Sequence, residues 1–282
     1  MASFFLTSGP LAEQARNERV YRGDLIVFRG FAAVADLVDA LQAICQQHLG
    51  ADPESVHERL PEVAVNAAAQ ALRDEIAADD TVTTLLRTAL QDVGVHIDDT
   101  YGDGLELRVQ SASSHGGGRR ISPLGVHRDT WGSNIMAQTN WWAPVWPTTP
   151  ERTIAFFPAY FERPVPNTSA GWDFGELLRR LKADGPDTDY PLLPLATEPP
   201  VWEEAMPVSI EPGDLLCFSG AHLHASVPNA TEHTRLSFEL RTANRPDVLA
   251  GRGAPNVDGT PVRTTYQLFR GLNHGERLGP LE

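Results

Sequence analysis

Hydrophobic positions change their spacing near residue 100. Before it the repeat is helical. Val34, Leu37, Val38, Leu41, Ile44 and Cys45 recur in steps of three and four, which predicts a helix over 34–48. Ranges near 62–78 and 80–93 read the same way. Leu85, Leu86 and Leu90 form the core face of the second, with Asp80 or Thr81 placed to cap it. One strand precedes these helices, the apolar run from Asp24 to Phe31, closed by Gly30. This half reads as scaffold: helices packed outside a sheet. His48, His57 and His96 fall within it and read as ordinary surface or core histidines.

After residue 100, short strands alternate with Pro/Gly turns. Strands are predicted at 106–111, 135–145, 153–158, 208–210, 215–219 and 236–241, with a turn at Glu211-Pro212-Gly213-Asp214. Many short strands with regular turn signals predict a sandwich or barrel. The stretch 163–205 is rich in Pro, Gly and Asp, with one short helix near 174–181. So long an irregular segment inside a compact domain reads as a lid or insertion. The tail from Pro246 is loop-rich and is expected to wrap the surface, with Tyr266 to Phe269 as a docking point. The whole chain, 1–282, reads as one domain: a scaffold to residue 100, a β core over 105–241 and a C-terminal wrap over 242–282.

Composition narrows the class. Hydrophobic residues make up 41% of 282 and mean hydropathy is -0.25, as for a soluble globular protein. No apolar run reaches the ~20 residues of a membrane span, and Met1 to Pro10 lacks the basic and long apolar regions of a signal peptide. Two cysteines, Cys45 and Cys217, make no disulfide framework. A cytoplasmic location is the expectation. The net charge of -14 argues against a nucleic-acid partner. The Gly-rich loop from Ser113 to Arg120 lacks a following Lys-Ser/Thr, so it is no phosphate-cradling loop. Arg119 and Arg120 in it either reach an anionic group or belong to a solvated loop.

The candidate chemistry starts at Gly125-Val126-His127-Arg128-Asp129-Thr130-Trp131. On a strand, residues i and i+2 share a face, so His127 and Asp129 would converge. A third ligand is available about a hundred residues on, in Gly220-Ala221-His222-Leu223-His224-Ala225-Ser226. Two histidines and one carboxylate with open positions are the ligand set of non-haem Fe(II) oxygenases. Parity leaves His222 and His224 equivalent. Arg235 stands on a strand otherwise marked by Leu236, Phe238 and Leu240. A buried Arg is costly unless paired, and no acidic residue is fixed to meet it from this strand. A ligand carboxylate is its natural partner. Trp131, Trp141, Trp142 and Trp146 are close to the site in sequence. Core packing is their leading reading, with Trp131 and Trp141 as substrate-contact candidates.

The order His127-x-Asp129, Trp141/Trp142, Thr153 to Pro158, Pro212-Gly213-Asp214, His224-x-Ser226, Arg235-x-Ser237 resembles the Fe(II)- and 2-oxoglutarate-dependent oxygenases, and within them the phytanoyl-CoA hydroxylase branch. The resemblance covers about residues 105–241. It implies a double-stranded β-helix, the jelly roll of cupin-like proteins: a mainly β fold with flanking helices. It implies Fe(II) held by His127, Asp129 and His224. It implies 2-oxoglutarate held at its distal carboxylate by Arg235 with Ser226 and, more weakly, Ser237. O2 is the co-reactant, and succinate and CO2 are released. His224 is favoured over His222 because it lies eleven residues before Arg235 (235 − 224 = 11), precedes Ser226 by two, and is followed by Pro228-Asn229. His222 then becomes a supporting donor or a substrate contact, and Arg119 is a further substrate-contact candidate, for an anionic group. Where the family has a small-residue turn and a His, this chain has Ala159-Tyr160-Phe161. With 163–205, that departure leaves the substrate open. The expected activity is oxidation, by hydroxylation, of a small molecule of secondary metabolism. The alternatives are a jelly-roll isomerase or hydrolase without 2-oxoglutarate, and a binding module with a vestigial site. No peptide-binding extension supports a protein substrate, and oligomeric state is open.

Overall fold

The computed structural model describes residues 3–112, 122–185 and 188–279. Eleven strands are present among them: β1 (Phe4–Thr7), β2 (Leu25–Phe28), β3 (Thr100–Gly102), β4 (Glu106–Gln110), β5 (Gln138–Pro144), β6 (Ile154–Phe156), β7 (Met206–Val208), β8 (Leu215–Ser219), β9 (His224–Ser226), β10 (Arg235–Asn244) and β11 (Arg270–Gly271). The larger sheet runs β1-β2-β8-β5-β10-β3-β11, with β4 also paired to β10. The smaller runs β7-β6-β9. Only β1 and β2 are parallel, so the larger sheet is mixed. Two sheets face each other and helices flank one of them: the β core is a jelly roll.

Alternation along β5 shows how one strand serves both layers. All seven of its residues are buried. Trp141 and Ala143 join the core under the helices, whereas Trp142 joins the layer between the sheets with Leu216, Phe218, Ile154 and Phe156. β10 alternates more sharply. Leu236, Phe238 and Leu240 enter the helix-side core. Arg235, Ser237, Glu239 and Arg241 therefore take the opposite face, toward the smaller sheet.

The scaffold helices bury the faces their spacing predicts. Ala32–Leu49 buries Val34, Leu37, Val38, Leu41, Ile44 and Cys45. Glu62–Ala78 buries Val65, Ala69, Leu72 and Ile76. The Asp80–Asp92 helix is capped one residue earlier than expected: the Asp79 side chain accepts from the Thr81 and Val82 amides. Asp79 keeps extended backbone, while Asp80 is already helical. The helix Glu13–Tyr21 and the strands β1, β3 and β11 lie outside the expected elements. Each is short, and β1 shows no fully buried residue. The predicted 135–145 strand begins only at Gln138, after Asn134 takes a left-handed conformation (φ 56). The last strand runs on to Asn244 because β3 and β5 both pair with its far end. Pro212-Gly213-Asp214 forms the expected turn, with Gly213 at φ 94 and Asp214 chelated by Arg29. Cys45 and Cys217 are buried thiols. No described helix is long and apolar enough to cross a membrane.

Candidate metal centre

A pair of backbone hydrogen bonds creates the site. The His127 and His224 amides each donate to the other's carbonyl at 2.9 Å. Their ring centroids come within 4.2 Å. β6 places Phe156 opposite His224, and the two rings stack. Both imidazoles are then oriented by carbonyls. Nδ1 of His127 meets the Gly125 oxygen at 2.7 Å, and Nδ1 of His224 meets the His222 oxygen at 2.9 Å. A carbonyl only accepts, so Nδ1 carries the proton and each Nε2 keeps its lone pair for a metal.

Asp129 faces both Nε2 atoms, at 3.8 Å from His127 and 3.7 Å from His224. One ligand atom from each residue lies within 4.8 Å of the others. Such a triangle has room for an ion at ~2.1 Å from each donor. Convergence does not come from a strand pleat, however. Asp129 has helical backbone and opens a single turn over Thr130–Ser133. The chain turns at Asp129 to bring its carboxylate under the two rings.

Electrostatics suit a cation. Burial, with His224 close by, pushes the His127 imidazole down, so it is neutral and a competent ligand at neutral pH. Burial pushes Asp129 up, but the pull of His224 and His127 in their protonated forms, with Arg241 and the Asn140 donor, outweighs it and holds the carboxyl below its usual range. Asn140 Nδ2 donates to Asp129 Oδ2 through a short bond. Gln138 Nε2 donates to Asn140 Oδ1 at 2.8 Å, which fixes the amide in that orientation. Gly220 makes this possible: a Cβ there would stand 2.8 Å from Gln138 Nε2.

The triad opens on a cavity of about 310 Å³, within the range of small-molecule sites. Arg235 and Ser226 line it. Arg235 is 4% exposed. Its Nη1 donates to the Thr153 carbonyl at 2.7 Å and its Nη2 to Ser226 Oγ at 3.4 Å, and its Nε has no partner. No carboxylate pairs with it among the described residues. Burial, with Arg108 adding to it, pushes this guanidinium down to about 9. Ser237 Oγ, two residues on and fully buried, also lacks a partner.

The structure separates the substrate-contact candidates. Trp131 is fully buried away from the cavity, its indole N–H given to Asp258. Trp141 borders the cavity but turns its indole to the helix side, where it donates to Thr242 and packs on Phe28. Parity decides this: Trp142, one residue on, faces between the sheets. His222 is 1% exposed and packed on Phe161, with its two ring nitrogens beside the Gly23 and Ser219 carbonyls, only one of which a neutral ring can reach as donor. It lies in the turn before β9, so it does not share a strand face with His224, and it supports His224 through its carbonyl and not its ring. Arg119 lies outside the described residues. His48, His57 and His96 stay in the scaffold, His48 bonded to Glu75 and His57 to Thr234.

Five contributing residues were missed in the sequence. Arg128, between two triad residues, is buried and bonds Asp258 and the carbonyls of Ala221, Tyr160 and Arg163. Asp258 also accepts from Trp131 and the Val165 amide, so the C-terminal segment ties down the site. Asn140 holds Asp129. Glu239 and Arg241 continue the polar face of β10 into the cavity. Their signal was present in the strict alternation from Arg235 to Arg241.

No family model matches this chain, and no curated protein matches it. Solved structures do. EvdO2 from Micromonospora carbonacea var. aurantiaca, complexed with 2-oxoglutarate, is 12% identical over 84% of this chain and 93% of its own, with a TM-score of 0.47. The epimerase SnoN, in complex with Fe3+, alpha ketoglutarate and nogalamycin RO, is 16% identical over 89% and 95%, with a TM-score of 0.41. The non-heme monooxygenase ThoJ is 16% identical over 75% and 70%, with a TM-score of 0.40.

Proposed function

We propose that this protein is a non-haem Fe(II)- and 2-oxoglutarate-dependent oxygenase that hydroxylates a small molecule in secondary metabolism. The observation that carries the reading is Arg235, a buried guanidinium with an unpartnered Nε and no carboxylate, in the cavity that His127, Asp129 and His224 enter. A buried cation persists when a ligand supplies the missing anion. A dicarboxylate reaching from Arg235 to the metal fits this layout.

His127 and His224 would offer Nε2 and Asp129 one oxygen to Fe(II), and Arg235, Ser226 and Ser237 would hold the distal carboxylate of 2-oxoglutarate. When bound, the iron and cosubstrate supply oxidation of a C–H bond by O2, with release of succinate and CO2. The chain's own task is positioning and shielding. Asn140 and Gln138 fix Asp129. The Gly125 and His222 carbonyls fix the two rings. Trp172, Phe174, Leu192, Leu193 and Pro194, all from 163–205, line the cavity and would shield a bound substrate from water.

An anaerobic visible spectrum tests this. Fe(II) with 2-oxoglutarate is expected to give a weak charge-transfer band that Fe(II) alone lacks. Metal binding without any effect of 2-oxoglutarate would transfer the protein to the isomerase or hydrolase reading.

A further inference from the structure

The far end of the β10 polar face is built differently from its Arg235 end. Glu239 and Arg241 line the cavity and are part-exposed. Arg241 is held in place by Asp103: its amide donates to Asp103 Oδ1 at 3.0 Å, and its Nε makes a short bond to Oδ2. Its Nη1 stands 3.8 Å from Asp129 Oδ1. A guanidinium so fixed presents its remaining N–H groups beside the triad at little entropic cost. The Glu239 side chain makes no hydrogen bond and no ion pair among the described residues, although Arg235 and Arg241 feel its charge. It is an acceptor on the same face, about 7 Å along the strand from Arg241.

Part of the cavity's lining is apolar. Trp172, Phe174, Leu192, Leu193 and Pro194 form it. Trp172 gives its indole N–H to the Pro191 carbonyl, so it offers the cavity only hydrocarbon.

Charge selects further. On the proposed reading, the metal and 2-oxoglutarate balance Asp129 and Arg235. Glu106 is met by Arg73 at 3.9 Å. Arg108 and Arg241 then stand against Asp103 and Glu239, two cations against two anions. A bound substrate needs no net charge.

We propose that this subsite takes a neutral, polyhydroxylated molecule with an apolar ring, its oxygens on Arg241, its hydroxyl protons on Glu239 and its ring against Trp172 and Phe174. The inference rests on the oxygenase reading for the balance of charge. Protein loaded with Mn(II), a redox-silent stand-in, and 2-oxoglutarate is titrated with phenyl β-D-glucopyranoside by ligand-observed NMR. Methyl β-D-glucopyranoside, which lacks the ring, and phenyl β-D-glucuronide, which adds a carboxylate, are the controls. The phenyl glucoside is expected to bind about tenfold or more tightly than either, and Glu239→Leu or Trp172→Ala to weaken it about tenfold, the loss of one good contact. Equal or tighter binding of the glucuronide, binding unchanged in both variants, or no binding to loaded protein would each overturn the proposal. Mn(II) and 2-oxoglutarate are titrated separately. If those two fail to bind, the oxygenase reading falls instead. Arg241→Leu is included with its Mn(II) affinity: loss of Mn(II) matching the loss of probe would make Arg241 a support for Asp129 and would overturn its assignment to substrate.

Discussion

Two ends of one strand face show two ways of keeping an arginine. At Arg235 the guanidinium is 4% exposed and has no carboxylate. At Arg241 the side chain is 43% exposed and chelated by Asp103. Burial depresses the first, and Asp103 raises the second. The same residue type, six positions apart on the same face, is thus short of an anion at one end and already supplied at the other. A cation short of its anion marks a place for a charged cosubstrate, and a cation locked to its own carboxylate marks a place for hydrogen bonding to something neutral.

The largest effect expected is at the triad between these ends. His224→Ala should abolish tight Fe(II) binding in an anaerobic titration. His222→Ala should keep the metal, because the carbonyl that orients His224 is main chain. It should still lower stability by about 2–4 kcal/mol through the lost buried ring and its hydrogen bond. Metal kept in His224→Ala and lost in His222→Ala would reverse the assignment.

Next is Arg235→Leu. Losing a buried charge-assisted contact costs about 2–5 kcal/mol, on the order of 30- to several-thousand-fold in 2-oxoglutarate affinity by calorimetry. Fe(II) affinity should hold. Urea denaturation of the ligand-free variant should show no loss of stability, since Leu removes an unpaired buried cation. A large loss would mean that Arg235 is structural, and the contrast with Arg241 would collapse.

A smaller effect is expected at Asn140. Asn140→Leu leaves Asp129 without its Nδ2 donor and should weaken Fe(II) binding about 10- to 100-fold. Unchanged affinity would show that the triad needs no support from β5.

The mildest test concerns the apolar wall. Hydrogen exchange across 163–205 should slow when the cavity is filled in Mn(II)- and 2-oxoglutarate-loaded protein, as for a segment that closes over a ligand. Protection that is full and ligand-independent would make this wall rigid scaffold.

Much of this was legible in one dimension. The helix over 34–48, the strand at β8, the Pro212-Gly213 turn and the His127-x-Asp129 pair follow from local spacing, and the family resemblance added His224. The alternation Arg235, Ser237, Glu239, Arg241 against Leu236, Phe238, Leu240 was just as legible, but only its first member was read as unusual. Asp258 carried no signal, because its partners Arg128, Trp131 and Val165 are about 90 to 130 residues away. Asn140 and Gln138 were hidden inside a strand whose aromatic residues dominated the pattern.

By itself the sequence determined which residues alternate between two faces, where turns fall and which side chains are chemically able to hold a metal, since these depend on backbone period and side-chain chemistry. Strand parity left His222 and His224 alike, because it takes as extended a segment where the chain in fact turns, and His224 was favoured only by its spacing to Arg235 and Ser226 and by the family resemblance. The tertiary structure sets their surroundings apart. It packed the His222 ring against Phe161 and the Gly23 carbonyl, and it paired His224 with His127 across a bridge. It also decided which arginine lacks an anion. Pairing of that kind is set by distance in space, and residues such as Asp103 and Arg241, 138 positions apart, meet only when β3 and β10 are joined in one sheet.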